Sequence, residues 1–240
     1  MVEPLLENPR ALTRSIAEAL GASPVEQPGL SGFVSSRHDR FLNQLFASEK
    51  VAPRDALAAF EGRPGFVWLA EKPEAEELGS LRLLEMTGMS AATASGREQR
   101  SSQGEIGQVR SRQDLDGWFA VYAEVFGADP KARDDWLRIN DVLGPGGVGS
   151  FLLLLARVNG TPAATGAVFF QADAAGLYCF TTLERMRRRG LAAALVQACH
   201  EAAQDRGIER AVLQATGSGR PAYAKAGYRD DGPLPVLLSP

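Results

Sequence analysis

Residues 183–196, "LERMRRRGLAAALV", place four arginines within five positions and then continue directly into an alanine-rich helical segment. Three interpretations fit such a stretch: a nucleic-acid contact, a solvated run of charge, or an anion pocket built at the start of a helix. Each interpretation implies a different function, and the surrounding sequence distinguishes among them.

The overall charge argues against the nucleic-acid interpretation. The chain of 240 residues has a net charge of −3, with 45% hydrophobic and 23% charged residues, which is ordinary for a globular protein. A generally basic surface is therefore not expected, and the arginines are a local feature. The helix that follows them is nearly neutral and apolar. We expect no nucleic-acid partner.

Cysteine content and hydropathy predict a cytoplasmic protein without a metal site or a membrane partner. Cys179 and Cys199 are the only cysteines, without metal-ligand spacing, which is typical of a reducing compartment. The start "MVEPLLENPRAL" has prolines and acids where a signal peptide needs an unbroken apolar segment. The longest apolar run, "FLLLLA", is too short to span a bilayer.

The chain divides at a polar segment. Residues 90–105, "SAATASGREQRSSQGE", have no hydrophobic period and predict a linker between segments 1–103 and 104–240. Before it, "GFVWLAEKP" predicts a strand, and "EAEELGSLRLLEM" has leucines at helical spacing and predicts a helix. His38 lies in the polar run "SSRHDR" and His200 lies in a predicted helix, and each is expected to be a structural or a surface histidine.

The segment after the linker begins with two predicted helices. "DLDGWFAVYAEVFG" has an apolar stripe at helical spacing, with Asp114 as candidate cap and Gly127 as stop. "DPKARDDWLRINDVL" follows, with Asp129 in the cap position. Two strands joined at Asn159-Gly160 come next, since this pair favours a tight hairpin.

The remaining elements predict a mixed sheet. "GLYCFTTL" is apolar on both faces and predicts a central strand. A helix over residues 191–206, the strand "RAVLQA" and the short helix "GRPAYAKAGY" follow. This order predicts an α/β (α+β) fold, a mixed and mostly antiparallel sheet flanked by helices.

Two glycine-bearing motifs compete as ligand sites. "GPGGVG" at residues 144–149 has the spacing of a dinucleotide loop but precedes a strand instead of following one, so we interpret it as a loop. Arg187-x-x-Gly190-x-Ala192 lies between a buried strand and a long helix, whose first N–H groups lack intrahelical partners. Small residues and flanking arginines suit a pyrophosphate there.

From about residue 105 to residue 231, the chain resembles the GNAT superfamily of acyl-CoA-dependent N-acyltransferases. The resemblance rests on the predicted central strand, the arginine loop and the long helix, followed by a further strand and "YAKAGY". In that family the R-x-x-G-x-A loop cradles the CoA pyrophosphate and the preceding strand pairs with the pantetheine arm. The sequence departs from the family at Glu184, where a proline is common, and at Thr216, where many members have asparagine. The resemblance implies these CoA-binding residues: Thr181, Thr182, Leu183, Arg187, Arg188, Arg189, Gly190, Leu191, Ala192, Ala193 and Thr216.

Segment 1–103 resembles a reduced GNAT-like partner half, as in two-domain members, because of its strand "FVWLA" and its Gly88-Met89 pair. It has no R-x-x-G-x-A loop, so we expect it not to bind CoA.

The resemblance implies an N-acetyltransferase that moves the acetyl group of acetyl-CoA to a primary amine by direct attack in a ternary complex. "YAKAGY" matches the family's Y-x-x-x-G-[FY] element at Tyr223, Gly227 and Tyr228. Tyr223 is the candidate general acid beside the CoA sulfur, and a packing tyrosine is the alternative. Glu124 and Glu184 are candidate bases, and solvated surface carboxylates are the alternative.

Two functions remain open at this point. The first is the acetyltransferase, with a small-molecule or peptide amine as acceptor and a homodimer as a possible assembly. The second is a non-catalytic acyl-CoA-binding or regulatory module that keeps the loop without turnover.

Overall fold

The fold is described by a computed structural model, which covers residues 3–36, 38–94, 103–144, 149–171 and 173–239. Seven α-helices lie within these ranges: α1 Glu3–Leu20, α2 Pro53–Ala58, α3 Ala75–Leu78, α4 Arg112–Phe126, α5 Ala132–Leu143, α6 Leu191–Gln204 and α7 Arg220–Lys225. The strands within them are β1 Pro24–Gln27, β2 Leu30–Val34, β3 Asn43–Ala47, β4 Gly65–Trp68, β5 Arg82–Ala92, β6 Glu105–Gln108, β7 Phe151–Val158, β8 Thr161–Gln171, β9 Ala174–Thr182, β10 Arg210–Thr216 and β11 Arg229–Ser239.

All the strands form one sheet in the order β1-β2-β3-β4-β11-β5-β10-β9-β8-β7-β6. Among the described strands, only β3–β4 and β9–β10 pair in parallel, and the other neighbours are antiparallel. Helices cover both faces, so the predicted mixed, mostly antiparallel sheet flanked by helices is confirmed.

The two faces of the sheet have separate cores. On one face Leu195 and Cys199 of α6 pack against Leu177 and Leu213 of the central strands. On the other face α1, α4 and α5 cover the sheet, with Leu12 and Ile16 from α1 and large aromatic side chains, led by Trp118 and Trp136, from α4 and α5. β7 is buried along nearly its whole length, because it lies between these two layers. This explains its continuous apolar sequence.

The C-terminal strand joins the two predicted segments. β11 pairs with β4 on one side and with β5 on the other. Strands of segments 1–103 and 104–240 therefore alternate in a single sheet, and β1–β4 reach the rest of it only through β11. The predicted boundary at residues 103 and 104 stays a prediction.

The predicted helix "EAEELGSLRLLEM" is wrong over most of its length. Only α3 is helical, and it ends at Gly79, whose φ is +55°. Arg82 starts β5, which is held between β10 and β11 along its length. Pairing with distant strands overrides the local helical spacing of the leucines.

The predicted linker is shorter than its sequence suggests. Residues 90–92 belong to β5, and Glu105 begins β6 at the edge of the sheet. Residues 95–102 lie outside the described part of the chain, as do residues 145–148 of the glycine-rich 144–149 motif.

Both predicted helix caps are shifted. Ser111 caps α4, and Asp114 completes a reciprocal capping box by accepting from the Ser111 N–H at 3.1 Å. α5 begins at Ala132, and the Asp129 carboxylate accepts from the Lys131 N–H at 2.8 Å just before it. The hairpin at Asn159-Gly160 is confirmed, since both residues have the positive φ of a tight primed turn.

No helix of the described ranges has the length and apolar character needed to cross a membrane. Over the same ranges, no group of three or more His, Cys, Asp or Glu side chains is placed to hold a metal ion.

Candidate active site

The central parallel strands diverge partway along their length. β9 and β10 pair over only three positions, the last being Leu213 with Leu177. β9 continues to Thr182 and β10 to Thr216, and these parts are not paired with each other. The divergence leaves a gap in the sheet, and backbone groups along it are available to a ligand.

A bulge in β9 lies where the gap opens. The register between β8 and β9 shifts after Thr165, and Cys179 has a φ of +56°. The Thr165 hydroxyl donates to the Cys179 carbonyl at 2.8 Å, and Trp118 Nε1 donates to the Gly166 carbonyl at 3.2 Å. These bonds hold the bulge, which bends the strand away from β10.

After β9, the chain passes through the short 3₁₀ turn Glu184–Met186 and then enters α6. Arg188 and Gly190 both have positive φ, +67° and +76°. Gly190 is the N-cap of α6 and its carbonyl accepts the Ala194 N–H at 3.0 Å. The N–H groups of the first turn precede this bond and have no intrahelical acceptor. The positive end of the α6 dipole lies at these groups and favours the binding of an anion.

These elements enclose one open cleft of about 1780 Å³, including the part open to solvent, between β9, β10, α6 and α7. Tyr223 lines this cleft. Ten of the eleven predicted CoA-binding residues also line it: Thr181, Thr182, Arg187, Arg188, Arg189, Gly190, Leu191, Ala192, Ala193 and Thr216. Leu183 is not in the lining, because its side chain is buried, 1% exposed, and its N–H donates to the Ala163 carbonyl.

The cleft is cationic although the whole protein is mildly acidic. Its described lining contains three arginines, residues 187–189, and Lys225 of α7, but no aspartate or glutamate. Arg185 instead pairs with Glu124, 2.7 Å between Nη1 and Oε1, outside the cleft. Sequence reasoning missed Lys225, since only the packing of α7 shows that it shares a cleft with the arginines.

Neither candidate base lines the cleft. Glu124 is engaged by Arg185, and Glu184 is exposed on the 3₁₀ turn. Cys199 lies on the buried face of α6, and burial raises the pKa of its thiol well above the usual range, so the thiol stays protonated.

Tyr223 projects from α7 against the aromatic wall of the cleft. Its ring lies 6.3 Å from Phe180 and 5.8 Å from Tyr228, both edge-on. Burial, with a smaller contribution from the nearby Cys199, raises the pKa of the Tyr223 phenol above its usual range. The phenol therefore remains a proton donor at neutral pH. Tyr228 is fixed beneath it by a 2.7 Å hydrogen bond between its hydroxyl and His200 Nε2.

Residues 115–228 match the family model described as "Acetyltransferase (GNAT) family". The matched range runs from α4 to Tyr228 and contains the bulge, the arginine loop, α6 and α7. A search of curated protein sequences found no match.

Three solved structures show the same fold over nearly the whole chain. A GCN5-related N-acetyltransferase from Kribbella flavida is 18% identical, with 96% of this chain and 95% of that chain covered and a TM-score of 0.66. A functionally unknown conserved protein from Staphylococcus epidermidis ATCC 12228 is 14% identical, with 92% and 94% covered and a TM-score of 0.68. A GCN5-related N-acetyltransferase-like protein from Streptococcus suis 89/1591 is 14% identical, with 98% and 95% covered and a TM-score of 0.61. The shared fold thus includes segment 1–103.

Proposed function

We propose that this chain, whose residues 115–228 match the acetyltransferase (GNAT) family, transfers an acetyl group from acetyl-CoA to a primary amine of a small molecule or a peptide. The observation that carries the proposal is the cationic cleft at the divergence of β9 and β10, whose lining includes Tyr223 and the start of α6, where no side chain caps the helix.

The arginine loop suits the pyrophosphate of CoA. The first N–H groups of α6 can donate to phosphate oxygens, and Gly190 leaves room for a close approach to the backbone. Arg187 and Arg188 are exposed at the rim of the cleft, where planar guanidinium groups can hold further phosphate oxygens.

The unpaired edge of β9 suits the pantetheine arm. Thr181 and Thr182 line the cleft beyond the last β9–β10 pair. The amides of the pantetheine arm would bond to this free backbone edge, as a further strand does in β-augmentation. The thioester would then lie near the bulge at Cys179.

The chemistry needs few protein groups. The neutral amine nitrogen attacks the thioester carbonyl carbon; the new C–N bond forms and the C–S bond breaks. In our proposal the Tyr223 hydroxyl gives its proton to the departing sulfur, and backbone N–H groups of β9 stabilise the carbonyl oxygen as it becomes negative. The amine passes its proton to water, since no carboxylate lies among the described lining residues. The Tyr223 phenolate takes a proton back from water, so that acetylated amine and the free thiol of CoA are the net products.

Ligand binding tests the donor site. Thermal unfolding of the purified protein is measured with acetyl-CoA, free CoA, NAD and a short DNA duplex. A ligand at about 100 times its Kd stabilises the folded state by about 2.7 kcal/mol, or several degrees in Tm. We expect a shift with acetyl-CoA and CoA alone. A saturating titration without any shift contradicts the proposal.

Turnover is tested next, by measuring free thiol released from acetyl-CoA across a panel of amines. Release that depends on one class of amine supports the transferase. Binding of acetyl-CoA without thiol release for any amine would indicate the non-catalytic binding module instead.

A further inference from the structure

We propose that Gln103 is a positioning residue for the donor site, because it holds the guanidinium of Arg189 in place at the cleft without neutralising its charge. The inference rests on the proposed binding of an acyl-CoA in this cleft. It assigns a role to the end of the segment that the sequence indicated only as a linker.

Gln103 and Arg189 are joined by two hydrogen bonds. The Gln103 backbone N–H donates to the Arg189 carbonyl at 3.2 Å, and Arg189 Nη1 donates to Gln103 Oε1 at 3.3 Å. One bond fixes the loop backbone and the other fixes the end of the side chain. Together they set both the position and the direction of the guanidinium.

Gly104, the next residue, allows the same segment to pack closely against the start of α6. A Cβ at Gly104 would lie 2.6 Å from Leu191 Cδ2 and 2.8 Å from the Arg157 carbonyl oxygen. Such spacing leaves room only for glycine, so the backbone at residues 103 and 104 runs in close contact with the first residue of the helix. The contact with Arg189 is thereby held at a fixed place.

Arg185 and Arg189 have hydrogen-bond partners of different charge. Arg185 is held by the carboxylate of Glu124, which balances its charge, and it lies outside the cleft. Arg189 is held by a neutral amide oxygen and lines the cleft. An amide accepts the hydrogen bond but leaves the positive charge available to a phosphate.

Arg189 also differs from its two neighbours in the cleft. Arg187 and Arg188 are exposed, whereas Arg189 is half-buried. A long side chain that is already ordered loses less conformational entropy when it binds an anion. We therefore expect Arg189 to contribute to CoA affinity more than its exposed neighbours do, and to depend on Gln103 for this.

The test compares Gln103→Ala, Gln103→Glu and a matched control, Gln108→Glu. Gln108 lies at the end of β6, bonds to Arg110 and is outside the cleft lining, so its substitution makes the same charge change away from the site. Kd for CoA is measured by calorimetry at low and high salt, KM and kcat are measured with acetyl-CoA, and Tm is measured without ligand.

We expect Gln103→Glu to weaken CoA binding about 10-fold at low salt, and less at high salt, because the carboxylate offsets the charge of Arg189. Gln103→Ala should weaken it about 3-fold by freeing the side chain. KM should rise with kcat unchanged. Tm of Gln103→Glu should stay within about 2 °C of the wild-type value, since the Arg189 pair is preserved as an ion pair.

If the contact between Gln103 and Arg189 is only structural, the two Gln103 variants should have the opposite order of CoA affinity. If Gln103→Glu binds CoA as tightly as the wild type while Gln103→Ala does not, the contact only fastens the loop and the inference is overturned. Equal affinity of both Gln103 variants and Gln108→Glu overturns it as well, while leaving the proposed function intact. Failure of the wild-type protein to bind CoA overturns the proposed function itself.

Discussion

Trp136 Nε1 donates a hydrogen bond of 2.7 Å to Asp39 Oδ2, across 97 residues of sequence. The other carboxylate oxygen accepts from the Tyr122 hydroxyl at 3.0 Å and from the Phe41 N–H at 2.9 Å. Asp39 is only 3% exposed, and burial raises the pKa of its carboxyl. A single side chain of segment 1–103 thus binds α4 and α5 of segment 104–240.

Asp39→Ala should lower the free energy of unfolding by about 3 kcal/mol or more. It leaves the buried Trp136 N–H and Tyr122 O–H without their acceptor, at about 1–3 kcal/mol each. Urea denaturation measures the change. The control Asp141→Ala, at an exposed position of α5, should change it by about 0.5 kcal/mol or less. Equal values for the two variants would contradict the prediction.

Tyr223→Phe should lower kcat by about 100-fold, because general acid catalysis contributes roughly that much. Kd for acetyl-CoA should change less than about 2-fold, since the ring still packs against Phe180 and Tyr228. Stopped-assay kinetics and calorimetry on the same preparation separate the two effects. An unchanged kcat would mean that Tyr223 is a packing residue.

The pH dependence of kcat should show no loss of activity from ionisation of Tyr223 below pH 10. Burial raises the pKa of this phenol above the ordinary 10.0, so its acid form persists across the neutral and mildly alkaline range. Rates measured from pH 6 to about pH 10 with a fixed amine should rise as the amine loses its proton. A descending limb near pH 8 or 9 that disappears in Tyr223→Phe would show that the phenol ionises earlier.

Stability should fall in alkaline solution. Burial raises the pKa of the Cys179 thiol and of the Tyr122 and Tyr178 phenols well above 9.0 and 10.0, respectively. The folded state then retains protons that the unfolded chain releases. Stability is therefore full below the unfolded pKa values and is lost as pH rises beyond them, by up to about 1.4 kcal/mol per pH unit per group. Urea midpoints that stay constant from pH 7 to pH 10.5 would contradict this.

The double variant Arg187→Gln and Arg188→Gln should weaken CoA binding about 10-fold at low salt and by less at high salt, because two exposed charges are removed from the cleft. Arg82→Gln is the matched control on an exposed position of β5, and it should change Kd less than about 2-fold. Both are measured by calorimetry. A double variant that binds as the wild type does would leave only the α6 backbone, Arg189 and Lys225 to hold the phosphates.

Local signals made the loop and its neighbours predictable. The Asn159-Gly160 turn, the small residues after Gly190 and the helix stop near Gly207 act within a few positions, so one stretch of sequence contains the whole cause. The arrangement of Arg187, Gly190 and Tyr223 around one cleft follows from the order of these elements. Their roles in binding and catalysis stay predictions.

The rest depends on contacts between distant residues. β5 has leucines at helical spacing but becomes a strand, since Met86 pairs with both Thr216 and Leu234. Asp39 lies in the polar run "SSRHDR" yet is buried, because its partners come from α4 and α5. No local pattern marks Lys225 or Gln103 as neighbours of the cleft for the same reason.

The position of β11 also has a consequence for biosynthesis. β1–β4 leave the ribosome early, but they join the other strands only through β11, which is made after every other described strand. Until then, β4 and β5 present open edges that can pair with other chains. The described sheet therefore cannot be complete before β11 has emerged from the ribosome, and the pairing of β4 and β5 with β11 is a late, non-local step of folding.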